Sequence, residues 1–373
     1  MAALGGWWVR APAIEHGAVV APHEIDIDPP SMRAQREATI ALATMPDDPW
    51  SFAESLAASA PAKGAERDKE DCGQADAPEF ADIDSTAQGV VMTRGATPRY
   101  LGVQARMDAA LRASADPFDR AVADFMNAGD LRSPSGSEEA VVQQAAGSTD
   151  PRLVSLGHAV CARMPDGGAG CAALTAERWA QVDAGNGMPW IEILGQAQAR
   201  GDTAGVRDAM SHLAAATRFD THFYAVPGAV ARRMPADGRD LAAGNELVVG
   251  AMGRSAAFQF PSFKPLLDIC RNEAGGDEQR ALQCIAISDS LYAHSDNSLQ
   301  FLMSGALLFQ TTGDASRRES IKAERMIFAA HWSPATGLSR CGTLRDEVRK
   351  IARNAEIGDV EAMREDARKF VTP

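Results

Sequence analysis

Apolar residues follow a helical spacing from about residue 98 to the end of the chain. After residue 100 the chain has neither prolonged runs of β-branched residues nor regular alternation of apolar and polar positions, which are the patterns that strands require. Alanine is abundant, and aromatic residues make up only 6% of the chain. The sequence therefore predicts an all-α fold.

Glycines stop the predicted helices at a nearly constant interval of 34 to 45 residues. They are Gly129, Gly167, Gly201, Gly238, Gly276, Gly313 and Gly358, and five of them precede an aspartate. Glycine ends a helix because it enters the left-handed region without a Cβ clash, and a following aspartate can cap the next helix. Two helices and two turns occupy about 34 to 47 residues. The spacing therefore predicts an α-solenoid of antiparallel helix pairs.

The stretch 190–216 comes nearest to a complete repeat. Aligned on Gly201 and Asp202, it resembles a tetratricopeptide repeat: Trp190 takes the aromatic position that opens the first helix, and apolar residues line one face of each helix. Two features depart from the family pattern, because Val206 stands where a small residue is expected and no proline closes the unit.

This resemblance implies a superhelix of stacked helix pairs over about residues 98–370, whose concave face binds a protein or peptide. It implies no catalytic residue and no cofactor. Loosely matched, alanine-rich arrays of this kind also resemble uncharacterised helical envelope proteins of proteobacteria.

The chain before residue 98 has a different composition. Residues 1–10 are apolar and end in two tryptophans, a valine and an arginine, like the exit end of a membrane anchor, but a span needs about 20 residues. We expect them to be the remnant of an anchor or signal that is missing from this chain, or an apolar tail without a role. Residues 11–97 predict an irregular acidic region, partly extended or disordered, with one or two helices. The helical-repeat domain is predicted at 98–373.

Most of the net charge of −13 belongs to the acidic region, because residues 11–85 carry 16 acidic and 5 basic side chains, a balance of −11. The remaining chain is close to neutral. Phosphate binding needs a basic patch, and none is evident. The sequence therefore argues against a nucleic-acid partner.

Two cysteine pairs lie across predicted turns. Cys161 and Cys171 flank Gly167, while Cys270 and Cys284 flank Gly276. Positions at similar distances on either side of a helix hairpin face each other, so each pair is within reach of a disulfide.

Cys72 and Cys341 would then pair with each other, although six cysteines allow fifteen connectivities. Disulfides predict an extracytoplasmic location, such as the periplasm, with or without a membrane anchor. Six buried free thiols in a cytosolic protein are the alternative.

The motifs of metal and nucleophile chemistry are absent. His158 and Cys161 share a helical face near Cys171, but no fourth ligand is in reach and no paired Cys-x-x-Cys or His-x-x-x-His spacing occurs. Isolated histidines such as His212 and His222 are predicted to be ordinary helix residues. We predict no metal site and no cofactor.

A glycosidase-like pair of acids from separate helices stays open, because sequence spacing does not reveal such pairs. For most acids surface solvation is the simpler interpretation. The candidate pairs are Asp26 with Asp28, Glu138 with Glu139, and Asp289 with Asp296.

One stretch, 246–263, departs from the repeat, with two glycines, a proline and Phe258, Phe260 and Phe263. It predicts a broken helix whose aromatic side chains form an exposed binding loop or pack on a neighbouring repeat.

The sequence favours a non-enzymatic extracytoplasmic scaffold that binds a protein or peptide. The alternatives are a hydrolase of a cell-envelope polymer, which requires two carboxyl groups in one cleft, and a secreted effector or its immunity partner.

Overall fold

The computed structural model describes Cys72 and most of the chain from residue 97 to residue 371. The described ranges are 97–127, 136–164, 168–234, 238–258, 262–272, 278–311, parts of 315–324, and 340–371. These residues belong to one compact unit, Ala62–Pro373. The N-terminal segment, nearly all of the acidic region and the predicted turns at 129, 167, 276 and 313 lie outside the described residues.

We number the helices of these ranges in chain order. They are α1 Pro98–Arg112, α2 Pro117–Asn127, α3 Gly136–Ala146, α4 Pro151–Cys161, α5 Ala176–Val182, α6 Met188–Ala199, α7 Thr203–Ala215, α8 Ala225–Ala231, α9 Leu241–Phe258, α10 Lys264–Asn272, α11 Glu278–His294, α12 Ser298–Thr311, α13 Arg340–Ile357 and α14 Asp359–Val371. The described residues contain no strand, only two isolated bridges. The predicted all-α fold is confirmed.

Two helices, α2 and α4, begin at an Asp-Pro pair. The amide of Phe118 donates to Asp116 Oδ1 over 2.9 Å, and the amide of Arg152 donates to Asp150 Oδ1 over 2.9 Å. Each aspartate satisfies an amide that the first helical turn leaves open, and the proline after it lacks the N–H that would otherwise need a partner.

Glycine stops occur where the pattern places them within the described ranges. Gly201, Gly238 and Gly358 have φ of +67°, +73° and +82°, the left-handed region that favours glycine. After Gly201, the Oδ1 of Asp202 accepts from the amide of Gly205 at 2.9 Å and caps α7. The predicted turn between two packed helices at 201–202 is therefore confirmed.

Helices adjacent in sequence pack on one another from α1 through α7. Other contacts join distant parts of the chain: α8 packs on α1, α2 and α13, α9 packs on α1, α4 and α13, and α11 packs on α7. One main apolar core results, and its largest fully buried side chains include Phe118, Phe125, Phe219, Ile191 and Leu194. Burial of each such side chain stabilises the fold by roughly 1.5–3 kcal/mol.

The axes of α8 and α13 approach closely at a glycine. A Cβ atom at Gly228 would lie 2.1 Å from the Cβ of Ala355, so only glycine fits without movement of a helix. This contact brings the C-terminal helices onto the middle of the chain.

The six cysteines form three disulfides, with the connectivity that their spacing favours. Cys161 pairs with Cys171, Cys270 with Cys284, and Cys72 with Cys341. Disulfides are compatible with an extracytoplasmic location, because oxidising compartments maintain them. By the chain-entropy model the short bridges stabilise the fold by roughly 3 kcal/mol each and the long one by roughly 5 kcal/mol.

The predicted break in 246–263 does not fall at the glycines, since helix α9 continues through Gly250 and Gly253 to Phe258. Phe263 is buried, 5% exposed, in the main core, so of the two interpretations packing describes this residue. Phe260 and the side chain of Phe258 lie outside the described residues. Among the described helices, none combines the length and apolar content that a membrane crossing requires.

Candidate functional site: a polar pocket between interhelical loops

Four connections between helices run side by side at one end of their helices. They are the α5–α6 loop at 183–187, the α7–α8 loop at 216–224, the α11–α12 loop at 295–297 and the α13–α14 turn at 358. We refer to them together as the loop layer. The first three loops each contain aspartate or asparagine, and Asp359 directly follows the turn at 358; such residues satisfy open backbone groups at helix ends.

Backbone hydrogen bonds fix the order of the loop layer. The amide of Gly187 donates to the carbonyl of Arg218 (2.9 Å), the amide of Asp296 to the carbonyl of Phe219 (3.2 Å), and the amide of Asp359 to the carbonyl of Asp296 (2.8 Å). Four segments that are distant in sequence therefore meet through their main chains, which places their side chains accurately.

Asn186 joins the first two loops through its side chain. Its Oδ1 accepts from the amides of Met188 and Asp220, each at 3.0 Å. Its Nδ2 donates to Asp183 Oδ2 at 2.6 Å and to the carbonyl of Asp220 at 2.7 Å. Asn186 is 1% exposed and makes all four hydrogen bonds that its amide allows.

His222 lies between two carboxylates. Its Nε2 is 2.9 Å from Asp183 Oδ2, and its Nδ1 is 3.2 Å from Asp220 Oδ2. Since both ring nitrogens face carboxylate oxygens, both must carry protons and the ring is an imidazolium. Burial alone would lower the pKa of His222, but the charge of Asp220 and the hydrogen bonds to both carboxylates raise it to about 10.

The backbone at His222 is unusual as well. Its φ of +58° is in the left-handed region, the only positive φ among the described residues other than glycine. The amide of His222 donates to Asp220 Oδ1 at 2.6 Å, which holds this turn. Non-glycine residues in this region are strained by about 1–3 kcal/mol and persist only where the surroundings impose them.

Asp183 is the buried anchor of the network. Its side chain is fully buried and accepts hydrogen bonds from Trp179 Nε1 (3.2 Å), Asn186, His222 and the guanidinium of Arg218. Burial would raise the pKa of Asp183, but the hydrogen bond and charge of His222 outweigh burial and lower it. Asp183 is therefore ionised and holds the imidazolium in place.

Asp220 and Asp296 meet across two loops and are hydrogen-bonded to each other through their carboxyl groups. Burial opposes the ionisation of Asp220, but the charge of His222 outweighs it and holds the pKa of Asp220 well below its usual range. Burial and the negative charge of Asp220 raise the pKa of Asp296 well above its usual range. One carboxyl is ionised and the other protonated, because two negative charges at this distance repel each other.

Asp296 has two further partners. Asn297 Nδ2 donates to its Oδ1 at 2.9 Å, and Thr221 Oγ1 donates to its Oδ2 at 3.3 Å. These bonds fix the orientation of the carboxyl group.

A second group of buried polar residues adjoins the carboxyl pair. Asn354 Nδ2 donates to Asp359 Oδ1 at 3.0 Å. Burial raises the pKa of the Tyr224 hydroxyl, and the charge of Asp359 and a hydrogen bond to it raise it further. Asn354 is 3% exposed, and its Oδ1 has no hydrogen-bond partner among the described residues.

These groups line a pocket of about 380 Å³. Asp220, His222, Tyr224, Asp296 and Asn354 contribute to its wall, together with Arg152, Arg218, Arg364, Glu356 and Glu361. The pocket is large enough for a few side-chain-sized groups, and it is more polar than most small-molecule sites.

The pocket contains both a hydrogen-bond donor and an acceptor. Protonated Asp296 can donate a hydrogen bond, while Asp220 can accept one. A fixed, partly desolvated set of this kind binds polar ligand groups, and a carboxyl pair with one proton can also transfer protons. Within the described part of the chain, no group of three or more His, Cys, Asp or Glu side chains is arranged to hold a metal ion.

The structure separates most of the sequence-predicted site residues from this pocket. Trp190 stacks on His212, with ring centroids 3.7 Å apart, at the α6–α7 pair. His158 bonds Glu192 and the carbonyl of Leu174, each at 2.7 Å. Cys161, which shares a helical face with His158, is in a disulfide and has no thiolate to offer a metal.

Of the candidate acids within the described residues, only Asp296 reaches the pocket. Asp296 lines it, but its partner is Asp220, while Asp289 pairs with Arg317 over 2.5 Å on the surface. Glu138 is buried in the first turn of α3 and Glu139 is exposed. Asp26 and Asp28 lie outside the described residues.

The sequence analysis missed Asp183, Asp220, Asn354 and Asp359, and it was wrong about His222, which lies in a loop and not in a helix. A usable signal was present, since Asp or Asn occurs in most of the short gaps between helices. That signal indicates helix caps, and it does not reveal which caps meet.

Comparison of the chain with protein-family models, with curated proteins and with solved structures found no match. The fold and the pocket define the class: a disulfide-bonded, all-α protein with a preformed polar pocket between interhelical loops.

Proposed function

We propose that this protein is an extracytoplasmic helical-repeat scaffold that binds a peptide segment of a partner protein, and that the loop-layer pocket is the binding site. The observation that carries the proposal is the preformed pocket. In it Asn186 accepts from the backbone amide of Asp220, Thr221 donates to Asp296 across two loops, and Asn354 donates to Asp359. Preorganised polar groups favour binding because little side-chain entropy is lost when the ligand arrives.

In this proposal the sequential packing of α1 through α7 forms the solenoid part of the scaffold. The later helices, which pack back onto α1, α2 and α4, would support the loop layer. The location is periplasmic or otherwise extracytoplasmic, with or without a membrane anchor.

Panning of a random peptide display library against the native protein tests the binding. Ala293 is exposed on α11 and lines the pocket, so Ala293→Trp would obstruct it with little effect on the core. The matched control is Val249→Trp, at a side chain 53% exposed on α9 and outside the pocket. Enriched peptides should lose binding to the first variant and retain it with the second. Equal binding to both would remove the pocket as the site.

The compartment has a separate test. Mass spectrometry of native protein, alkylated with and without prior reduction, should show six modifiable cysteines only after reduction. Six thiols free in freshly isolated protein would contradict an oxidising compartment.

A second candidate function is hydrolysis of an amide bond in a cell-envelope polymer, and the hydrogen-bonded pair of Asp220 and Asp296 is the observation that favours it. Carboxyls in hydrogen-bond contact are closer than the roughly 5–9.5 Å that glycosidases use, so the pair does not suit glycosidic cleavage. A carboxyl pair with one shared proton activates water in aspartic proteases.

In such a reaction Asp220 would take a proton from water as the water oxygen bonds to the amide carbon, and Asp296 would give its proton to the carbonyl oxygen. Collapse of the resulting diol would break the C–N bond and pass a proton to the amine. The weakness of this candidate is that His222 makes Asp220 a poor base by lowering its pKa.

Release of dye from labelled cell-wall sacculi and from labelled casein tests hydrolysis. Asp296→Asn and Asp220→Asn should each reduce the rate at least about 100-fold, while Glu139→Gln, at an exposed acid on α3, should not. Absence of any release by the native protein would remove this candidate.

A further inference from the structure

The Cys161–Cys171 disulfide differs from the other two bridges in its exposure. Both of its cysteines are partly exposed and pack against the edge of the main core. The four cysteines of the other bridges are all buried and are at most 5% exposed. A thiolate must reach a sulfur atom in order to open a disulfide, so exposure decides which bridge can react while the protein is folded.

The residues that directly follow these two cysteines are small and lie at the surface. Ala162 follows Cys161, and Ala172 and Ala173 follow Cys171; all three alanines are exposed. Cys270, in contrast, follows Ile269, which is 2% exposed in the main core. Another protein can therefore approach the first bridge without displacing core side chains, which is the access that a reactive cysteine needs.

Hydrogen bonds hold the chain around Cys171 independently of the sulfur–sulfur bond. The amide of Cys171 donates to the carbonyl of Gly168, and the amide of Leu174 donates to the carbonyl of Cys171, each over 3.0 Å. The carbonyl of Leu174 also lies 2.7 Å from Nδ1 of His158, on the helix that ends at Cys161. Leu174 is 2% exposed, so its side chain anchors this turn in the core as well.

His158 is fixed from a second side. Its Nε2 lies 2.7 Å from Glu192 Oε2 on α6. Burial alone would lower the pKa of His158, but the hydrogen bond and charge of Glu192 raise it, so both ring nitrogens can act as donors. Because the ring ties Leu174 to α4, the two cysteines would stay close together after the bridge opens, and their thiols could pair again.

We propose that Cys161–Cys171 is a redox-active site, which a dithiol of a partner protein reduces while the two buried bridges stay intact. The buried bridges can react only when the surrounding core opens, and core elements open with a free energy close to that of global unfolding. The site is separate from the loop-layer pocket, and this proposal does not depend on peptide binding.

The exchange passes two electrons and two protons from the partner to the bridge. A thiolate of the partner attacks one sulfur, the bond between Cys161 and Cys171 breaks, and the cysteine that leaves as a thiolate takes up a proton. The second thiol of the partner loses its proton and attacks the resulting mixed disulfide. The partner then has a disulfide, and the second cysteine of this protein also leaves as a thiolate and is protonated.

The rate at which each bridge opens tests the proposal on the native full-length protein. Samples are taken during incubation with dithiothreitol and alkylated with N-ethylmaleimide, and the cysteines still in disulfides are then reduced and labelled with iodoacetamide. Mass spectrometry of the peptides gives the three rates. Cys270–Cys284 is the matched control, because it closes a loop of similar length but is buried.

We expect Cys161–Cys171 to open about ten-fold or more faster than Cys270–Cys284. The protein with only the first bridge open should keep its helical circular dichroism, and it should re-form the same bridge when dithiothreitol is removed. Equal rates for the two bridges, or loss of the helical signal as Cys161–Cys171 opens, would show that this bridge is structural and overturn the proposal.

Thioredoxin with the second of its two active-site cysteines replaced by serine is the probe for a dithiol partner, because it forms the mixed disulfide but does not resolve it. It should be trapped on Cys161 or Cys171 of the native protein. The double variant Cys161→Ser, Cys171→Ser should trap none, and its thermal unfolding shows that it is folded. Trapping on any of the other four cysteines, or no trapping by the native protein, overturns the assignment of this site to a partner dithiol.

Discussion

Asp220 and Asp296 belong to different interhelical loops, and their carboxyl groups share a hydrogen bond inside the pocket. His222 determines which of the two keeps the proton, because its charge stabilises the ionised form of Asp220. The asymmetry of the pair therefore arises from a third residue, which is itself positioned by Asp183.

Asp296→Asn should make the stability of the protein less dependent on pH. The pKa of Asp296 is raised in the folded state, so the folded protein binds this proton more tightly than the unfolded chain does. The contribution of Asp296 to stability is therefore complete below about pH 4 and is lost as the pH rises through its raised pKa.

Urea unfolding across a pH series measures this effect. Below about pH 4 the free energies of unfolding of the variant and the parent should differ by a constant amount. As the pH rises above 4, the variant should become more stable relative to the parent. The gain should be about 1.4 kcal/mol for each unit by which the pKa is raised. A difference that is independent of pH would show that Asp296 ionises normally in the folded protein.

His222→Asn should destabilise the protein most at neutral and mildly acidic pH. Asparagine tolerates the positive φ at this position but provides no charge for Asp183 and Asp220, so we expect a loss of roughly 3 kcal/mol at pH 6.5. Since the pKa of His222 is raised to about 10, its stabilising effect is fully present below about pH 6.5 and is lost as the pH rises towards 10.

The measurement is again the free energy of unfolding, taken between pH 6 and pH 10. The difference between parent and variant should shrink as the pH rises. His212→Asn is the matched control, since His212 is half-exposed and stacks on Trp190. That control should change stability by less than about 1 kcal/mol. A His222 effect of equal size at both ends of the pH range would argue against an imidazolium.

Asn186→Asp should be strongly destabilising although it changes only one atom type in the side chain. Asn186 Nδ2, which donates two hydrogen bonds, would be replaced by a carboxylate oxygen. That oxygen would face Asp183 Oδ2 and the carbonyl of Asp220, both of which are acceptors. Loss of these bonds and burial of a like charge should lower the free energy of unfolding by about 3 kcal/mol or more. Gln143→Glu, on the exposed side of α3, is the corresponding amide-to-acid control and should stay within about 0.5 kcal/mol of the parent.

Gly228→Ala should destabilise the contact between α8 and α13, although alanine is the better helix former. The added Cβ would lie 2.1 Å from that of Ala355, and relief of such overpacking typically requires shifts worth about 1–3 kcal/mol. Gly250→Ala, in α9 with no atom near the new Cβ, should instead stabilise the protein by roughly 0.5–1 kcal/mol. Thermal unfolding of the two variants provides the comparison. A change in stability of the same sign in both would refute the close approach of α8 and α13 at Gly228.

Local features of this fold could be predicted from the sequence because they depend on neighbours in the chain. The helix start at Asp150, the turn at Gly201 and the two short disulfides each involve residues within one hairpin. Their physical signals are capping, left-handed glycine geometry and short loop closure.

The pocket could not be predicted in this way. Asp220 and Asp296 carry the same local signal as any helix cap, and only the packing of α7 against α11 and of α8 against α13 brings their loops together. The continuous helix through Gly250 was missed for a related reason, since Val248 and Ala251 are fully buried in the main core, and this packing outweighs the low helix propensity of glycine.

The Cys72–Cys341 disulfide joins positions near the two ends of the compact unit, with 269 residues of sequence separation. A protease that cuts a surface loop anywhere between these two residues produces two polypeptides that remain one covalent molecule until the bond is reduced. Outside the cytoplasm, where proteases are common and reductants scarce, a nicked copy of this protein would keep its parts together.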